Sequence, residues 1–378
     1  MNAFKSRRGF LKNTIAAATG ILMLPEVPAS PIPAPYLLRK GAARIRFAVI
    51  GINHGHIHSQ IQMAAEGGGE FVSFLAKEPD LSAEFAKRYP KVKQAKSENE
   101  ILDDKSIQLV VSAAIPDERA PLGIRVMQRG KDFMADKPGV LTLDQLEQVR
   151  KVQKETKRIY SIMYGERLEN KATIKAGELV KQGAIGKVIQ TIGMGPHRLN
   201  APSRPAWFFN KKQYGGILAD IATHQCDQFL FFTGSTSAEV VASQVANYNH
   251  PQYDMEDFGD AMVKGNGGSG YMRVDWFTPD GLKTWGDTRL TILGTEGYIE
   301  IRKNIDIAGR QGANHLFLVN QKGTQYIESN DVELTYGRLL VDDILNRTEI
   351  AMNQNHCFLA AELAIRAQKE ARNISPKV

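Results

Sequence analysis

The 378-residue chain is long enough for two domains with substantial cores, and its 43% hydrophobic and 24% charged residues exclude both a disordered chain and a polytopic membrane protein. Its net charge of +7 is unevenly placed: residues 1–44 hold Lys5, Arg7, Arg8, Lys12, Arg39, Lys40 and Arg44 against the single acid Glu26. The remainder is close to neutral, so no phosphate-tracking surface, and no nucleic-acid partner, is expected.

The basic end has its own explanation. Residues 6–12, SRRGFLK, resemble a twin-arginine export signal, followed by an apolar stretch at 14–24 that is too short to span a bilayer stably. No cysteine lies near the leader's end, so a lipid anchor is not expected. The reading is a periplasmic protein with no stable membrane anchor and the twin-arginine translocase as its partner during export. Residues 1–34 form the signal and a linker, and Pro25, Pro28, Pro31, Pro33 and the adjoining Pro35 favour an extended, polyproline-like backbone. Export permits a bridge between Cys226 and Cys357 without establishing one; the alternative is two separately buried thiols.

Residues 47–50 form an apolar run suited to a strand buried on both faces, followed by a turn at Gly51 and a helix over 58–66. Strand, glycine turn and helix make a dinucleotide-binding entry. Read as G-x-G-x-x-G, its positions are Gly51, Asn53 and His56, with an additional Gly55. Strands are then predicted at 70–75, 108–115, 132–135 and 159–163, and helices at 80–89, 98–103 and 122–128. A further helix begins at the capping box of Thr142 and Gln145. This alternation predicts a doubly wound parallel sheet over residues 44–165. Beyond Tyr164 a helix at 170–182 precedes short β-rich pieces at 187–193, 239–247, 260–264, 270–277, 289–294 and 298–302. These suit a second, α+β domain over residues 166–352 with a large, mostly antiparallel open sheet. A C-terminal helix over 353–372 packs back on the body.

Two constellations carry chemistry. Asp136-Lys137-Pro138 ends a parallel strand, where open α/β sheets place ligand-contacting residues, and the proline holds Lys137 extended. The second is the segment 214–227, YGGILADIATHQCD. There Asp220 and His224 are four apart and share one face if helical, and the paired glycines allow close approach to a ligand. Histidine can take a proton near neutral pH, and a nearby carboxylate would orient it and raise its pKa. His54, His56 and His58 alternate in a way that invites a metal reading, but no second cluster supplies further ligands, so no metal site is expected.

Taken in order, the Rossmann opening, Pro116, the G-K-x-x-x-x-K-P run from Gly130 to Pro138 and the GG-x-x-x-D-x-x-x-H segment resemble the glucose–fructose oxidoreductase/inositol dehydrogenase/rhizopine catabolism (Gfo/Idh/MocA) family. Asp136 departs from the Glu usual there. The resemblance implies NAD(P)-dependent redox chemistry on sugars or cyclitols, and a homo-oligomer formed through the open sheet. It implies His224 as proton acceptor, Lys137 as stabiliser of the alkoxide and Asp220 as the group orienting His224 or the substrate. Gly51, Ile52, Asn53, His54, Gly55, His56, Lys77, Ile115, Pro116, Asp136 and Lys137 would hold the cofactor, with His54 and His56 on its phosphate or nicotinamide side. Glu166, Arg167, His197, Arg198, Trp207 and His224 would face a carbohydrate substrate. At the end of the second strand Lys77 would suit a 2′-phosphate and Glu78 a 2′-hydroxyl, with a lean to NAD.

Export constrains this enzyme, because no free NAD(P) pool is expected outside the cytoplasm. At an association rate of about 10⁶ M⁻¹s⁻¹ and a Kd of about 1 nM, dissociation takes only minutes, so the cofactor must be held more tightly and recycled in place. The favoured activity is oxidation of a glycoside ring hydroxyl to a keto-sugar. The alternatives are a glycosidase working by transient oxidation and elimination, and a non-catalytic sugar-binding protein on the same scaffold.

Overall fold

The computed structural model describes residues 43–376; the leader and proline-rich linker lie outside the described residues. The apolar opening run is strand β1 (Ile45–Ile50), followed by α1 (Ile57–Glu66), β2 (Gly69–Leu75), α2 (Pro79–Arg88), β3 (Lys93–Gln94) and α3 (Glu98–Leu102). The alternation continues through β4 (Leu109–Ser112), α4 (Pro116–Gln128), β5 (Asp132–Asp136), α5 (Leu143–Thr156) and β6 (Tyr160–Met163). The six strands make one parallel sheet in the order β3-β2-β1-β4-β5-β6. Phe47, Val49, Leu109, Val110, Val111 and Phe133 are fully buried, as continuous apolar strands covered by helices on both faces should be. The chain reverses its direction of winding between β1 and β4, which opens a crevice at their carboxyl ends.

Two expectations here need correction. Helix α4 starts at Pro116 rather than near Leu122, because a proline at the first helical position gives up only an N–H that has no helical partner. Thr142 does cap α5 by accepting from the Gln145 N–H, but the Gln145 side chain accepts from Leu141 N instead of closing the box on Thr142.

After α6 (Gly165–Leu168) and α7 (Lys171–Lys181) the chain enters a nine-stranded sheet. Its strands are β7 (Val188–Pro196), β8 (Ala238–Ala246), β9 (Phe258–Gly265), β10 (Ser269–Asp275), β11 (Arg289–Gly294), β12 (Gly297–Arg302), β13 (His315–Asn320), β14 (Gly323–Glu328) and β15 (Arg372–Asn373). The order is β14-β13-β12-β11-β7-β10-β9-β8-β15, antiparallel except at β7–β10 and β8–β15. One face carries a π-helical turn (Leu218–Ala222) and α9 (Thr223–Thr233), while the short helix α8 (Lys211–Tyr214) before them packs on α4. Two further helices follow, α10 (Tyr336–Asn346), which packs on α1, and α11 (Gln354–Glu370), which touches α5, β6, α9 and β8. The C-terminal helix therefore joins the two sheets. Cys226 and Cys357 are separate, buried thiols.

Candidate active site

The crevice begins where β1 ends. Gly51 has φ of 81°, and a Cβ there would lie 2.4 Å from the Cβ of Ala114, so both backbone and neighbour demand glycine. Asn53 Nδ2 then donates to Glu78 Oε1 at 2.7 Å. The other Glu78 oxygen, Oε2, and Asp117 Oδ1 are buried without a hydrogen-bond partner among the described residues. They line one cavity with Gly51, Leu75 and Ala114. Two unsatisfied acceptors in the crevice at a topological switch point suit the hydroxyls of a ribose, so this half fits a dinucleotide's adenosine end. Lys77 stands on the exposed rim of the same cavity, where its Nζ pairs with Glu118 Oε1 at 2.7 Å. Ile52 is buried in the core and can meet a cofactor only through its backbone, Ile115 caps α4, and Gly55 is exposed with nothing near its missing Cβ.

Further along the carboxyl edge, β5 delivers Asp136 and Lys137. Asp136 is 1% exposed and accepts from Arg119 Nη2 at 3.2 Å and from the Lys137 N–H at 2.8 Å. His54 Nδ1 and His56 Nδ1 lie 3.2 and 3.0 Å from its two oxygens. Burial works against the charge of Asp136, yet the neighbouring His56 and Arg119 hold its carboxyl well below the usual range. Lys137 Nζ donates to Asp220 Oδ1 at 2.9 Å in a nearly buried pair. Burial opposes the Asp220 charge too, and the Lys137 ammonium overcomes it, so the carboxyl is held low.

Asp220 lies in the π-helical turn and His224 in the first turn of α9, so they do not share the face of a single α-helix. The expected role of Asp220 changes accordingly: its carboxylate holds Lys137, not His224. His224 is buried, its Nδ1 has no partner among the described residues, and burial pushes it down to about 3, the opposite of the rise expected from a nearby carboxylate. Lys137, Lys303 and His56 push in the same direction, while Glu166 resists. The imidazole is therefore neutral at physiological pH, with a free lone pair or N–H at Nδ1.

Two adjoining cavities share His56, His197 and Trp285. One also holds Lys137, Asp220 and Trp207; the other holds Glu166, His224 and Lys303. Glu166 Oε2 accepts from Lys303 Nζ at 2.8 Å and Gln225 Nε2 at 2.9 Å, leaving Oε1 buried and unpartnered among the described residues. Burial would raise the Glu166 carboxyl, but the Lys303 charge brings it down to about 2. His197, with Nδ1 3.0 Å from Gly195 O, is pushed down to about 4 by burial. Lys303 and Trp285 were not legible: a lysine just past an alternating strand reads as solvated, and an aromatic between turns reads as packing.

Other expectations shift. Arg167 does not face the cavities; it makes a buried bidentate pair with Asp227 at 2.6 Å through both nitrogens, and His356 Nε2 approaches the same carboxylate at 2.8 Å. Arg198 lines a cavity, but its Nη2 donates to the carbonyls of Pro279, Leu282 and Thr284, so it clamps a loop. The glycine pair does not approach the ligand space. Gly215 and Gly216 both have positive φ, and Cβ atoms there would strike Leu141 and Gln368. Trp207 is half-buried and lines the cavity with Lys137, consistent with a stacking surface, while Pro116 stands on the same wall.

Residues 45–164 match the oxidoreductase family with an NAD-binding Rossmann fold, and residues 173–300 match the GFO/IDH/MocA C-terminal domain. The chain belongs to the Gfo/Idh/MocA oxidoreductase family. It is 26% identical to a levoglucosan dehydrogenase of Pseudarthrobacter phenanthrenivorans over 65% of this chain and 61% of that enzyme's length. It is 24% identical to scyllo-inositol 2-dehydrogenase (NAD(+)) of Bacillus subtilis over 75% of this chain and 79% of that one. A solved structure from Erwinia carotovora atroseptica SCRI1043, described as a candidate oxidoreductase, is 48% identical, with a TM-score of 0.85 over 87% of this chain and 99% of that one.

Proposed function

We propose that this chain is an exported, NAD-dependent oxidoreductase that oxidises a ring hydroxyl of a sugar or glycoside, with its cofactor retained and recycled in place. The observation that carries the reading is the Lys137–Asp220 pair at 2.9 Å, which shares a cavity wall with the residues that approach the cofactor crevice and adjoins His224. The family members named above act on a cyclic anhydrosugar and a cyclitol, which supports a polyhydroxylated ring as substrate class. The exported location rests on the leader sequence.

Gly51, Asn53, Glu78 and Asp117 would hold the adenosine half, with Pro116 and Lys137 toward the other end. The nicotinamide, when bound, supplies the acceptor for a hydride. The chain's residues handle the proton and the charge. A substrate hydroxyl near Lys137 is made more acidic by the ammonium, which stabilises the alkoxide as it forms. Asp220 fixes where that ammonium points. Neutral His224 accepts the hydroxyl proton without first having to lose one; because burial makes it a weak base, the ammonium must bring the hydroxyl's acidity toward it. Glu166, held ionised, offers its unpartnered oxygen to a substrate hydroxyl.

The test uses the exported form purified from the periplasm. Nicotinamide should co-purify, and candidate glycosides should reduce it while their glycosidic bonds stay intact. Released sugar without net redox would replace this reading with transient-oxidation hydrolysis. Protein that neither carries nor binds NAD would sink both.

A further inference from the structure

We propose that His54, His56 and Asp136 bind one divalent transition-metal ion at the mouth of the cleft, where the two histidines line the cavity with Lys137 and Asp220 and Asp136 lies buried behind them. The H-x-H spacing lacked a third ligand in sequence; the fold supplies it from β5, 80 residues after His56. One nitrogen of each imidazole and one Asp136 oxygen all lie within 4.8 Å of one another. Two imidazoles and a carboxylate form a donor set used by catalytic Zn²⁺ and non-haem Fe²⁺ centres that keep open positions for substrate.

The local geometry favours a cation. The two Nδ1 atoms do not diverge toward a ligand; they converge on the two oxygens of one carboxylate, at 3.2 and 3.0 Å, with the rings edge to face at a centroid distance of 4.1 Å. Each Nδ1 can donate its proton to the carboxylate while no ion is bound, and in the other tautomer the same nitrogen presents its lone pair beside the carboxylate oxygen, so a cation replaces the two protons without moving either ring. An incoming phosphate, by contrast, would meet the Asp136 carboxylate lodged against both rings.

The surroundings are those of an oriented ligand. Arg119 Nη2 and the Lys137 N–H fix the Asp136 carboxylate from the protein side, as partners behind a metal-bound carboxylate do. His56 is 48% exposed, which provides an entry path, while Asp136 closes the inner end at 1%. His58 takes no part, since its Nδ1 meets the Tyr89 hydroxyl at 2.9 Å. An ion in this cavity would stand where adjacent oxygens of a polyhydroxylated ring could complete its coordination.

The untagged full chain, stripped with EDTA, would be titrated calorimetrically with Zn²⁺ and, in parallel, with Co²⁺ followed by visible absorption. One ion per chain with a Kd of about 1 µM or tighter is expected. His54→Ala and His56→Ala should each weaken binding by about 100-fold and abolish the Co²⁺ bands, while thermal melting stays cooperative. His250→Ala, at a histidine paired with Asp257 elsewhere, should leave the affinity unchanged. Absence of one-to-one binding tighter than about 100 µM, or equal affinity in the His54→Ala/His56→Ala double variant, would overturn the proposal. NAD is absent from the assay, so its failure would leave the dehydrogenase reading standing.

Discussion

His224 links the proposed chemistry to a measurable stability. It is 5% exposed and pushed by burial from an ordinary 6.5 down to about 3, so it stays neutral in the fold but charges in the unfolded chain. Between those two values the unfolded chain binds the extra proton, and folded stability therefore falls as pH falls. From pH 7 to pH 5 this one group removes about 2 kcal/mol, from roughly 1.4 kcal/mol per pH unit below 6.5. His197 acts in the same sense, less fully because its side chain is partly open to the cavity. Glu166 and Asp227, both held down to about 2, lose stability only when the pH falls below the ordinary carboxylate range, so they do not enter this window. Urea denaturation at pH 7, 6 and 5 should show the decline, and His224→Gln should shrink it by about 2 kcal/mol. The same state of His224 predicts that kcat/KM has no acid limb from this residue above pH 5. A variant with the same pH dependence as the parent chain would show that the His224 imidazole titrates alike in the folded and unfolded chains, and would refute the fall in its pKa on burial.

Further outcomes follow from the same geometry. Lys137→Ala should lower kcat by about 10²- to 10³-fold, the scale of losing a preorganised charge at a developing alkoxide, with the cofactor still bound; near-parental turnover would take Lys137 out of the mechanism. Glu78→Ala should weaken NAD⁺ binding by about tenfold, one lost hydrogen bond to a charged acceptor, and narrow its advantage over NADP⁺; unchanged selectivity in equilibrium titrations would contradict the ribose assignment. Asp227→Ala leaves the Arg167 guanidinium buried without its bidentate partner and should destabilise the chain by about 3–5 kcal/mol in urea melts, whereas a loss under about 1 kcal/mol would mean that water replaces the carboxylate.

The parallel sheet was legible because burial on both faces leaves unbroken apolar runs, as at residues 47–50 and 109–112. Its helices were legible from caps and glycine turns, though the strand expected over 108–115 stops at Ser112 and Pro116 starts α4. The far edge of the second sheet was not legible. Strands β13 and β14 and helix α10 lie in a stretch rich in Gly, Asn and Gln, and only pairing with β12 and packing on α1 give those segments their structure. At the site, a strand-end position pointed to Lys137 and a four-residue spacing to Asp220 and His224, with their roles implied by the resemblance, but that spacing assumed a regular helix. The π-helical turn placed Asp220 on Lys137 instead. Arg119 and Lys303 escaped notice because a charged residue in a helix or beside a strand reads as solvent-facing. Only the tertiary fold buries them against Asp136 and Glu166. Arg167 was misplaced for the converse reason: its position beside the pocket loop suggested substrate, and the fold gave it to Asp227.

The central claim is that the cleft between Glu78 and His224 oxidises a sugar hydroxyl onto a retained nicotinamide. Deuterium transfer tests it most directly. Purified holoprotein would be mixed, for one turnover and without added cofactor, with glycosides deuterated at individual ring carbons, and the nicotinamide then released and weighed by mass spectrometry. The account predicts deuterium on the nicotinamide from one ring position, in the parent chain and far more slowly in Lys137→Ala. Keto-sugar or released sugar formed with no deuterium on the nicotinamide would contradict it.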